Sequence, residues 1–303
     1  MSKRFNGKSL FFIAVLICII CVVNASPSYA AASKPLTAND KGLVASAIWI
    51  SNAVGQKILD AGGNAIDAAA AVGYALAVVH PSVGNIGGGG FALIQLASGD
   101  VEALDFRETA PAALHRLSYV LTEDPDYIPG DITTYKQRRY ICKCADCITT
   151  DTGSRDIGAA SSVGYLAAGV PGSPAGLNEM VFKYGSGNVT IQEIIQPAID
   201  LAEHGFPLTA GVASGLTSSR ANFNHFDGTK KYFTKDKSGN GSFAAGDIFK
   251  QPELAETLKR IQAKPTSADG YGFYEGITAD MIVADMPKYL HLAQQCKIGR
   301  AHV

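Results

Sequence analysis

The sequence Gly84-Asn85-Ile86-Gly87-Gly88-Gly89-Gly90 runs directly into the apolar segment Phe91-Ala92-Leu93-Ile94-Gln95-Leu96. Consecutive glycines are costly to order, because glycine loses more backbone freedom on folding than any other residue. A second strand-like segment, residues 101–106, follows the turn sequence Ser98-Gly99-Asp100 and ends at Arg107-Glu108. This pattern predicts a glycine turn that leads into a β-hairpin whose far end presents an arginine. A guanidinium in that place is suited to holding an anion.

The composition is that of an ordinary globular protein. The chain has 303 residues, of which 47% are hydrophobic and 17% are charged, and its formal net charge is −1. A chain of this length can bury one or two sizeable cores. Because there is no basic excess, the charge balance argues against nucleic acid as the main partner.

The first 30 residues have the pattern of a signal peptide. Three basic residues precede an apolar run at residues 10–23, and Ser28-Tyr29-Ala30 resembles a cleavage site. The apolar run has about 14 residues, fewer than the roughly 20 that a membrane-spanning helix needs. We therefore expect a periplasmic or secreted protein without a stable membrane span. A retained membrane anchor is the alternative.

Helical spacing of apolar residues recurs along the rest of the chain. It predicts a helix that begins with Ser51 or Asn52 as N-cap and further helices over residues 67–79, 173–184, 191–204, 252–263 and 277–286. Residues 67–79 are apolar on nearly all faces, which predicts a buried helix. We expect a short strand or a buried entry segment at residues 42–46. We also expect a loop with short helices at residues 109–156 and polar and aromatic surface at residues 214–237.

Several motifs, in this order along the chain, resemble the gamma-glutamyltranspeptidase family. They lie at residues 59–79, 87–91, 104–111, 169–177, 197–207, 245–247 and 273–276. Because several long motifs are in register over about residues 39–286, the signal is specific, unlike a lone glycine motif. The resemblance implies an α+β fold of the N-terminal-nucleophile hydrolase type, a four-layer αββα sandwich with two central sheets flanked by helices.

The resemblance also implies an acyl-transfer activity without a cofactor. In that family the precursor cleaves itself, and a threonine that becomes the N-terminus of a small subunit attacks a gamma-glutamyl amide such as glutathione. Water or an acceptor amino acid or peptide then resolves the acyl-enzyme. A cephalosporin-acylase-like amidase on the same scaffold and a non-enzymatic protein that binds gamma-glutamyl compounds are the alternatives.

The family's nucleophile lies downstream of the last matching motif. We therefore expect residues 31–286 to be a large-subunit region that is inactive alone and would pair with its own small subunit after self-cleavage. Residues 287–303 do not resemble the family, and Ile298-Gly299-Arg300-Ala301-His302-Val303 resembles translated sequencing-adapter DNA. This predicts an artefactual tail on a truncated chain, and a natural short protein is the alternative.

Arg107 is the predicted substrate-binding residue. In the resembling family the arginine of the Asp-Phe-Arg-Glu motif binds the alpha-carboxylate of the gamma-glutamyl group. A guanidinium can donate two parallel hydrogen bonds to the two oxygens of a carboxylate. The alternative is a structural pair with Asp105 or Glu108. Because adjacent strand residues point to opposite faces, we expect Arg107 to share a face with Asp105 and not with Glu108.

Gly87, Gly88, Gly89 and Gly90 are predicted to shape the pocket. They lack the Gly-Lys-Ser/Thr ending of a phosphate-binding loop and precede a strand rather than a helix, so no helix dipole faces a phosphate. We expect tight packing beneath the site, with a direct backbone role in the substrate pocket as the alternative.

Three further features invite functional interpretations. Cys142, Cys144 and Cys147 could form one disulfide with a free thiol or hold a metal, and the disulfide is favoured. The sequence of residues 236–247 is close to that of a calcium-binding loop, yet we expect an ordinary turn there and no bound metal. His80 and Asp67 lie at the ends of the predicted buried helix, where capping or packing is favoured over catalysis.

Overall fold

The computed structural model describes residues 38–39, 41–84, 86–112, 167–224 and 226–295. Within these ranges, side chains are described for residues 41–286. The helices are α1 (Trp49–Asp60), α2 (Ala65–Val79), α3 (Ser173–Tyr184), α4 (Ile191–His204), α5 (Ala210–Ser218), α6 (Arg220–Phe223), α7 (Asp227–Phe233), α8 (Pro252–Ala263) and α9 (Ile277–Gln295), with a 3₁₀ helix at Ser267–Gly272. The strands form antiparallel pairs: β1 (Ala38–Asn39) with β2 (Gly42–Leu43), β3 (Phe91–Gln95) with β4 (Val101–Asp105), and β5 (Phe206–Pro207) with β6 (Ile248–Phe249).

The alanine-rich helix α2 lies at the centre of the core, as its apolar sequence predicts. It contacts α1, α3 and α4, and Ala70, Tyr74 and Val78 are fully buried. Glycines on these helices let the neighbours approach closely: a Cβ added at Gly73 would lie 2.8 Å from a methyl carbon of Leu177 on α3. Small residues therefore set the spacing between the helices that support the hairpin.

The start of α2 is fixed by reciprocal capping. The Asn64 side chain accepts hydrogen bonds from the backbone N–H groups of Ile66 (2.9 Å) and Asp67 (3.0 Å), and the Asp67 carboxylate accepts from Asn64 N–H (2.9 Å). The same carboxylate accepts from Ser186 N–H at 3.0 Å. Asp67 is thus a structural group at a helix start, as predicted, and it also ties α2 to the segment after α3.

Helices α4 and α8 form the second half of the core. Thr190 and Glu193 cap the start of α4 reciprocally. The face of α8 that carries Ala255, Leu258 and Ile261 is fully buried, and α8 packs against α4. Both helices have the ends that the sequence predicts.

The predicted start of α1 was wrong. Helix α1 begins at Trp49, with Ile48 and not Ser51 or Asn52 in the N-cap position, and the Ser51 hydroxyl donates back to the Ile48 carbonyl at 2.6 Å. Residues 214–237, predicted to be polar and aromatic surface, contain the end of α5 and all of α6 and α7. Neither α6 nor α7 has a buried residue, which agrees with that prediction. Glycine and hydroxyl residues give α5 a low helix propensity. It is stabilised instead by the Thr209 cap and by burial of its apolar side chains.

Three further expectations concern the end of α9, membrane spans and segments outside the described residues. Helix α9 continues to Gln295, beyond the predicted end at residue 286. None of the described helices is both long and apolar enough to cross a bilayer. The predicted signal peptide, Cys142, Cys144 and Cys147 lie outside the described residues.

Candidate substrate-binding site

The hairpin β3–β4 has the predicted position. Phe91 pairs with Asp105 and Leu93 pairs with Ala103. Beyond the last pair, Gly90 N–H donates to the Phe106 carbonyl at 3.2 Å, and Phe106 N–H donates to the Gly90 carbonyl at 3.0 Å. The ladder therefore continues by one pair into the glycine loop and holds the chain directly before Arg107.

The glycine loop also holds the start of α3. The Gly88 carbonyl accepts hydrogen bonds from the backbone N–H groups of Gly172 (2.8 Å) and Ser173 (3.0 Å). These are donors that the first turn of a helix leaves unpaired. A third such donor, Ala175 N–H, binds the Tyr274 hydroxyl at 3.3 Å. Hairpin, glycine loop and α3 are thus joined by main-chain hydrogen bonds.

Close approach explains the need for glycine in the loop. A Cβ added at Gly89 would lie 2.7 Å from the Glu108 nitrogen and 2.8 Å from the Arg107 carbonyl carbon, and one added at Gly90 would lie 2.9 Å from the Phe106 ring. Carbon atoms in contact are normally 3.5–4.0 Å apart. Gly89 and Gly90 therefore pack directly under residues 106–108. Their role in shaping a pocket, with that of Gly87 and Gly88, stays a prediction.

Gly176 of α3 and Gly172, the N-cap residue of α3, lie against residues 106 and 107 from another side. A Cβ added at Gly176 would lie 2.5 Å from the Phe106 Cβ and 2.6 Å from its Cδ1, and one added at Gly172 would lie 3.0 Å from the Arg107 carbonyl oxygen. Both glycines belong to the family-like motif at residues 169–177, but the sequence alone indicated no role for them. Their spacing of four residues, which places both on one helix face, was the signal that could have found them.

Arg107 is exposed at the end of the hairpin. Its guanidinium carbon lies 5.7 Å from the centroid of the Phe91 ring, and its Nε lies 3.4 Å from the Glu108 carboxylate. Its backbone N–H donates to the Asp105 carboxylate at 3.0 Å. The expectation that the guanidinium would be on the opposite face from Glu108 was wrong. Strand β4 ends at Asp105, so strict alternation of side chains does not extend to residues 107 and 108.

Glu108 is held as an anion beside Arg107. Its own backbone N–H, the hydrogen bond and charge of Arg107, and the Gly89 N–H all lower the pKa of the Glu108 carboxyl. Directly beyond it, Thr109 and Val170 exchange backbone hydrogen bonds of 3.2 and 2.8 Å. The chain is therefore anchored on both sides of the Arg107-Glu108 pair.

The two faces of the hairpin differ in burial. On one face Ile94 is 7% exposed and belongs to the core. On the other face Phe91, Leu93 and Val101 are 66%, 79% and 61% exposed. The Arg107 side chain is 63% exposed, so its guanidinium is accessible in the described part of the chain.

The other candidate sites have structural roles in the described residues. The Asp236 carboxylate accepts from Ser238 N–H at 3.0 Å and Asn240 N–H at 3.2 Å, and the Asp247 carboxylate pairs with the Lys235 ammonium at 2.7 Å. The two carboxylates of the near-calcium motif are thus bound by protein donors. Among the described residues, no three His, Cys, Asp or Glu side chains are grouped to hold a metal.

His80 is the C-cap of α2. Its backbone N–H donates to the Leu76 carbonyl at 2.9 Å. This position agrees with the predicted capping of the helix end.

Comparison with known proteins decides the family. The sequence profile described as Gamma-glutamyltranspeptidase matches residues 51–134 and 146–290. This chain belongs to the gamma-glutamyltranspeptidase family. The family match includes the hairpin, the glycine loop and α3, and therefore the whole of the geometry around Arg107.

The curated relatives of this chain are longer proteins. It is 41% identical over 266 residues to the glutathione hydrolase proenzyme of Pseudomonas sp. (strain A14), with 85% of this chain and 38% of the relative covered. It is 35% identical over 250 residues to the glutathione hydrolase proenzyme of Escherichia coli (strain K12), with 82% and 36% covered. The chain thus spans less than two-fifths of the length of these relatives.

Solved structures confirm the predicted fold class. The gamma-glutamyltranspeptidase of Helicobacter pylori superposes with a TM-score of 0.64 at 39% identity and covers 84% of this chain and 62% of that one. A cephalosporin acylase from Bacillus halodurans superposes with a TM-score of 0.58 at 25% identity, with 79% and 38% covered. These are N-terminal-nucleophile hydrolases, and the mixed helices and sheets of this chain are consistent with part of that fold.

Proposed function

We propose that the full-length protein is a gamma-glutamyl acyltransferase and hydrolase that acts on glutathione and related gamma-glutamyl amides. The observation that carries this proposal is the placement of Arg107. Its guanidinium lies at the exposed end of a hairpin that the glycine loop and α3 hold in place. Among the described residues, neither of its Nη atoms has a hydrogen-bond partner.

The geometry suits recognition of the amino-acid end of a gamma-glutamyl group. The Nη edge of a guanidinium presents two parallel donors that match the two oxygens of a carboxylate. Binding the alpha-carboxylate there fixes the substrate at one end, so the gamma-carbonyl is placed at a set distance from Arg107. Such positioning supplies part of the rate enhancement by holding the reacting carbonyl near its nucleophile.

The bond-breaking groups belong to the downstream part of the full-length protein in this proposal. A threonine released by self-cleavage attacks the gamma-carbonyl, with its own amine as the base and backbone donors for the oxyanion. The amine of cysteinylglycine leaves, and water or an acceptor amino acid or peptide takes the glutamyl group from the threonine ester. No cofactor takes part. Residues 1–303 alone are then inactive, and the small subunit is the partner that completes the site.

The same proposal places the protein in the periplasm or outside the cell. Its support is the signal-peptide pattern of the first 30 residues. The names of the relatives, which are proenzymes, support a precursor that matures by cleavage.

A cephalosporin-acylase-like amidase is less well supported. The curated relatives at 35% to 41% identity are glutathione hydrolases, whereas the acylase structure is 25% identical. Arg107 also argues for a substrate with an amino-acid carboxylate. A non-enzymatic binding protein would keep Arg107 but lack a nucleophilic threonine.

The test is glutamate release from glutathione by the purified full-length gene product, with self-cleavage followed on denaturing gels. The matched control substrate is a 4-aminobutanoyl amide, which keeps the amine and lacks the alpha-carboxylate. We expect two subunits, hydrolysis of glutathione and little hydrolysis of the control. Equal turnover of both substrates would favour the amidase, and an uncleaved protein that binds glutathione without hydrolysis would favour a binding protein.

A further inference from the structure

We propose that Phe91 is a positioning residue that orients the Arg107 guanidinium toward the substrate carboxylate. This inference rests on the proposed function and names a group that the binding of gamma-glutamyl substrates depends on. It is carried by the contact between the Phe91 ring and the guanidinium, whose carbon lies 5.7 Å from the ring centroid.

The register of the hairpin brings the two residues together. Phe91 is the first residue of β3 and pairs with Asp105, the last residue of β4. Arg107 follows two residues beyond Asp105. Diagonal neighbours of this kind on one face of an antiparallel pair are within reach of aromatic and long side chains. Arg107 lies beyond the end of β4, and in the structure its guanidinium carbon lies over the Phe91 ring.

Two sides of the guanidinium are restrained by protein groups. Its central carbon lies over the Phe91 ring at a distance that allows a cation–π attraction. Its Nε edge lies 3.4 Å from the Glu108 carboxylate. The remaining edge carries Nη1 and Nη2, the two donors that a carboxylate binds in a two-pronged pair. Among the described residues these two donors have no hydrogen-bond partner, so they are available to a carboxylate.

Restraint of this arginine matters because its side chain is long and exposed. A free arginine samples many rotamers, and a ligand that fixes it must overcome that entropy. The ring and the Glu108 carboxylate limit the rotamers before substrate arrives, so less entropy is lost on binding. Removal of the ring should weaken substrate binding without altering the chemistry of the threonine.

Burial separates this role from a role in the core. Phe91 is 66% exposed, so its ring contributes little apolar burial to the described core. Leu93 is the next residue on the same strand and face, is 79% exposed and pairs with Ala103. It provides a matched control for the loss of an exposed apolar side chain from this strand.

The experiment measures the Michaelis constant and kcat for glutathione in the full-length enzyme. Exposed cation–π contacts contribute about 0.5–1 kcal/mol, which corresponds to roughly a two- to fivefold change in a binding constant. We expect Phe91→Leu to raise the Michaelis constant by that factor with kcat unchanged. Phe91→Trp should restore the wild-type value, because tryptophan also offers an aromatic face, and Leu93→Ala should leave both constants unchanged.

A double-mutant cycle with Arg107→Met shows whether Phe91 acts through Arg107. In the Arg107→Met background, Phe91→Leu should have no further effect on the Michaelis constant. If Phe91→Leu matches the wild type while Arg107→Met is impaired, this inference is overturned and the proposed function stands. An equal effect of Phe91→Leu in both backgrounds overturns it as well. A wild-type enzyme that releases no glutamate overturns the proposed function and this inference with it.

Discussion

Substitution of Gly176 by alanine should displace the arginine that the proposed function depends on. A Cβ at this position would lie 2.5 Å from the Phe106 Cβ and 2.6 Å from the Phe106 Cδ1. Carbon atoms pack at 3.5–4.0 Å, so the two groups must separate by about 1 Å. The Phe106 Cβ is bonded directly to the backbone, so rotation of the ring cannot relieve its overlap with the added Cβ. We expect the backbone of Phe106 to shift and to carry Arg107 with it.

The magnitude follows from two opposing effects on the free energy of unfolding. Alanine stabilises a helix interior by up to about 1 kcal/mol relative to glycine. Overpacking of this kind costs about 1–3 kcal/mol. Gly215 on α5 offers a matched control, because a Cβ added there meets no atom of the described chain within 4 Å. Gly215→Ala should therefore stabilise the protein, and Gly176→Ala should be about 1–3 kcal/mol less stable than Gly215→Ala.

Urea denaturation of both variants measures this difference, provided that the slope with denaturant stays constant. The Michaelis constant for glutathione provides a second readout in the full-length enzyme. It should rise for Gly176→Ala and stay unchanged for Gly215→Ala. Equal stabilisation of the two variants, with equal Michaelis constants, would refute the packing argument for the glycines of α3.

Three further predictions concern polar groups away from the hairpin. The Tyr74 hydroxyl donates to the buried Asn178 side chain at 2.7 Å, so Tyr74→Phe should lower the unfolding free energy by about 1–3 kcal/mol; an unchanged urea midpoint would contradict this. Hydrogen bonds from a serine hydroxyl and from backbone amides of its own loop lower the pKa of Asp236. Its contribution to stability is therefore present above the ordinary carboxyl pKa of about 3.9 and is lost as the pH falls below it. Asp236→Asn should flatten the decline of the urea midpoint below pH 4, and an unaltered pH dependence would argue against these bonds. Burial, and then the hydrogen bond to Glu179, raises the pKa of Tyr271 to about 12. The difference between the ultraviolet pH titrations of the wild type and Tyr271→Phe should show a tyrosine that ionises near pH 12. A midpoint of this difference titration near pH 10 would exclude the raised pKa of Tyr271.

Much of the fold was predictable because local sequence and tertiary packing agree. The apolar sequence of α2 matches its burial on nearly all faces. The turn sequence Ser98-Gly99-Asp100 between two apolar segments predicts the hairpin. The path of Arg107 was less predictable. Whether its side chain lies beside Asp105 or Glu108 depends on where β4 ends, and strand ends are set by neighbouring elements and not by alternation alone.

The missed features depend on contacts between distant residues. Helix α5 has weak intrinsic propensity, and burial of Val212 and Leu216 stabilises it. The 3₁₀ segment places Tyr271 in the left-handed region with φ of 53°, a conformation that is unfavourable for a side-chain-bearing residue. Its hydroxyl donates to Glu179 on α3 at 2.6 Å. The local sequence does not predict this backbone conformation of Tyr271, because the hydrogen-bond partner that supports it lies 92 residues away in the sequence.

The most direct test of the account is the Michaelis constant for glutathione of full-length Arg107→Ala. Loss of a charge-assisted pair worth about 1.5–3 kcal/mol corresponds to roughly a 10- to 150-fold increase. We predict that increase together with self-cleavage at the wild-type rate, since Arg107 contacts the substrate end and not the nucleophile. A variant that cleaves itself and binds glutathione with the wild-type Michaelis constant would contradict the assignment of Arg107 as the carboxylate-binding residue.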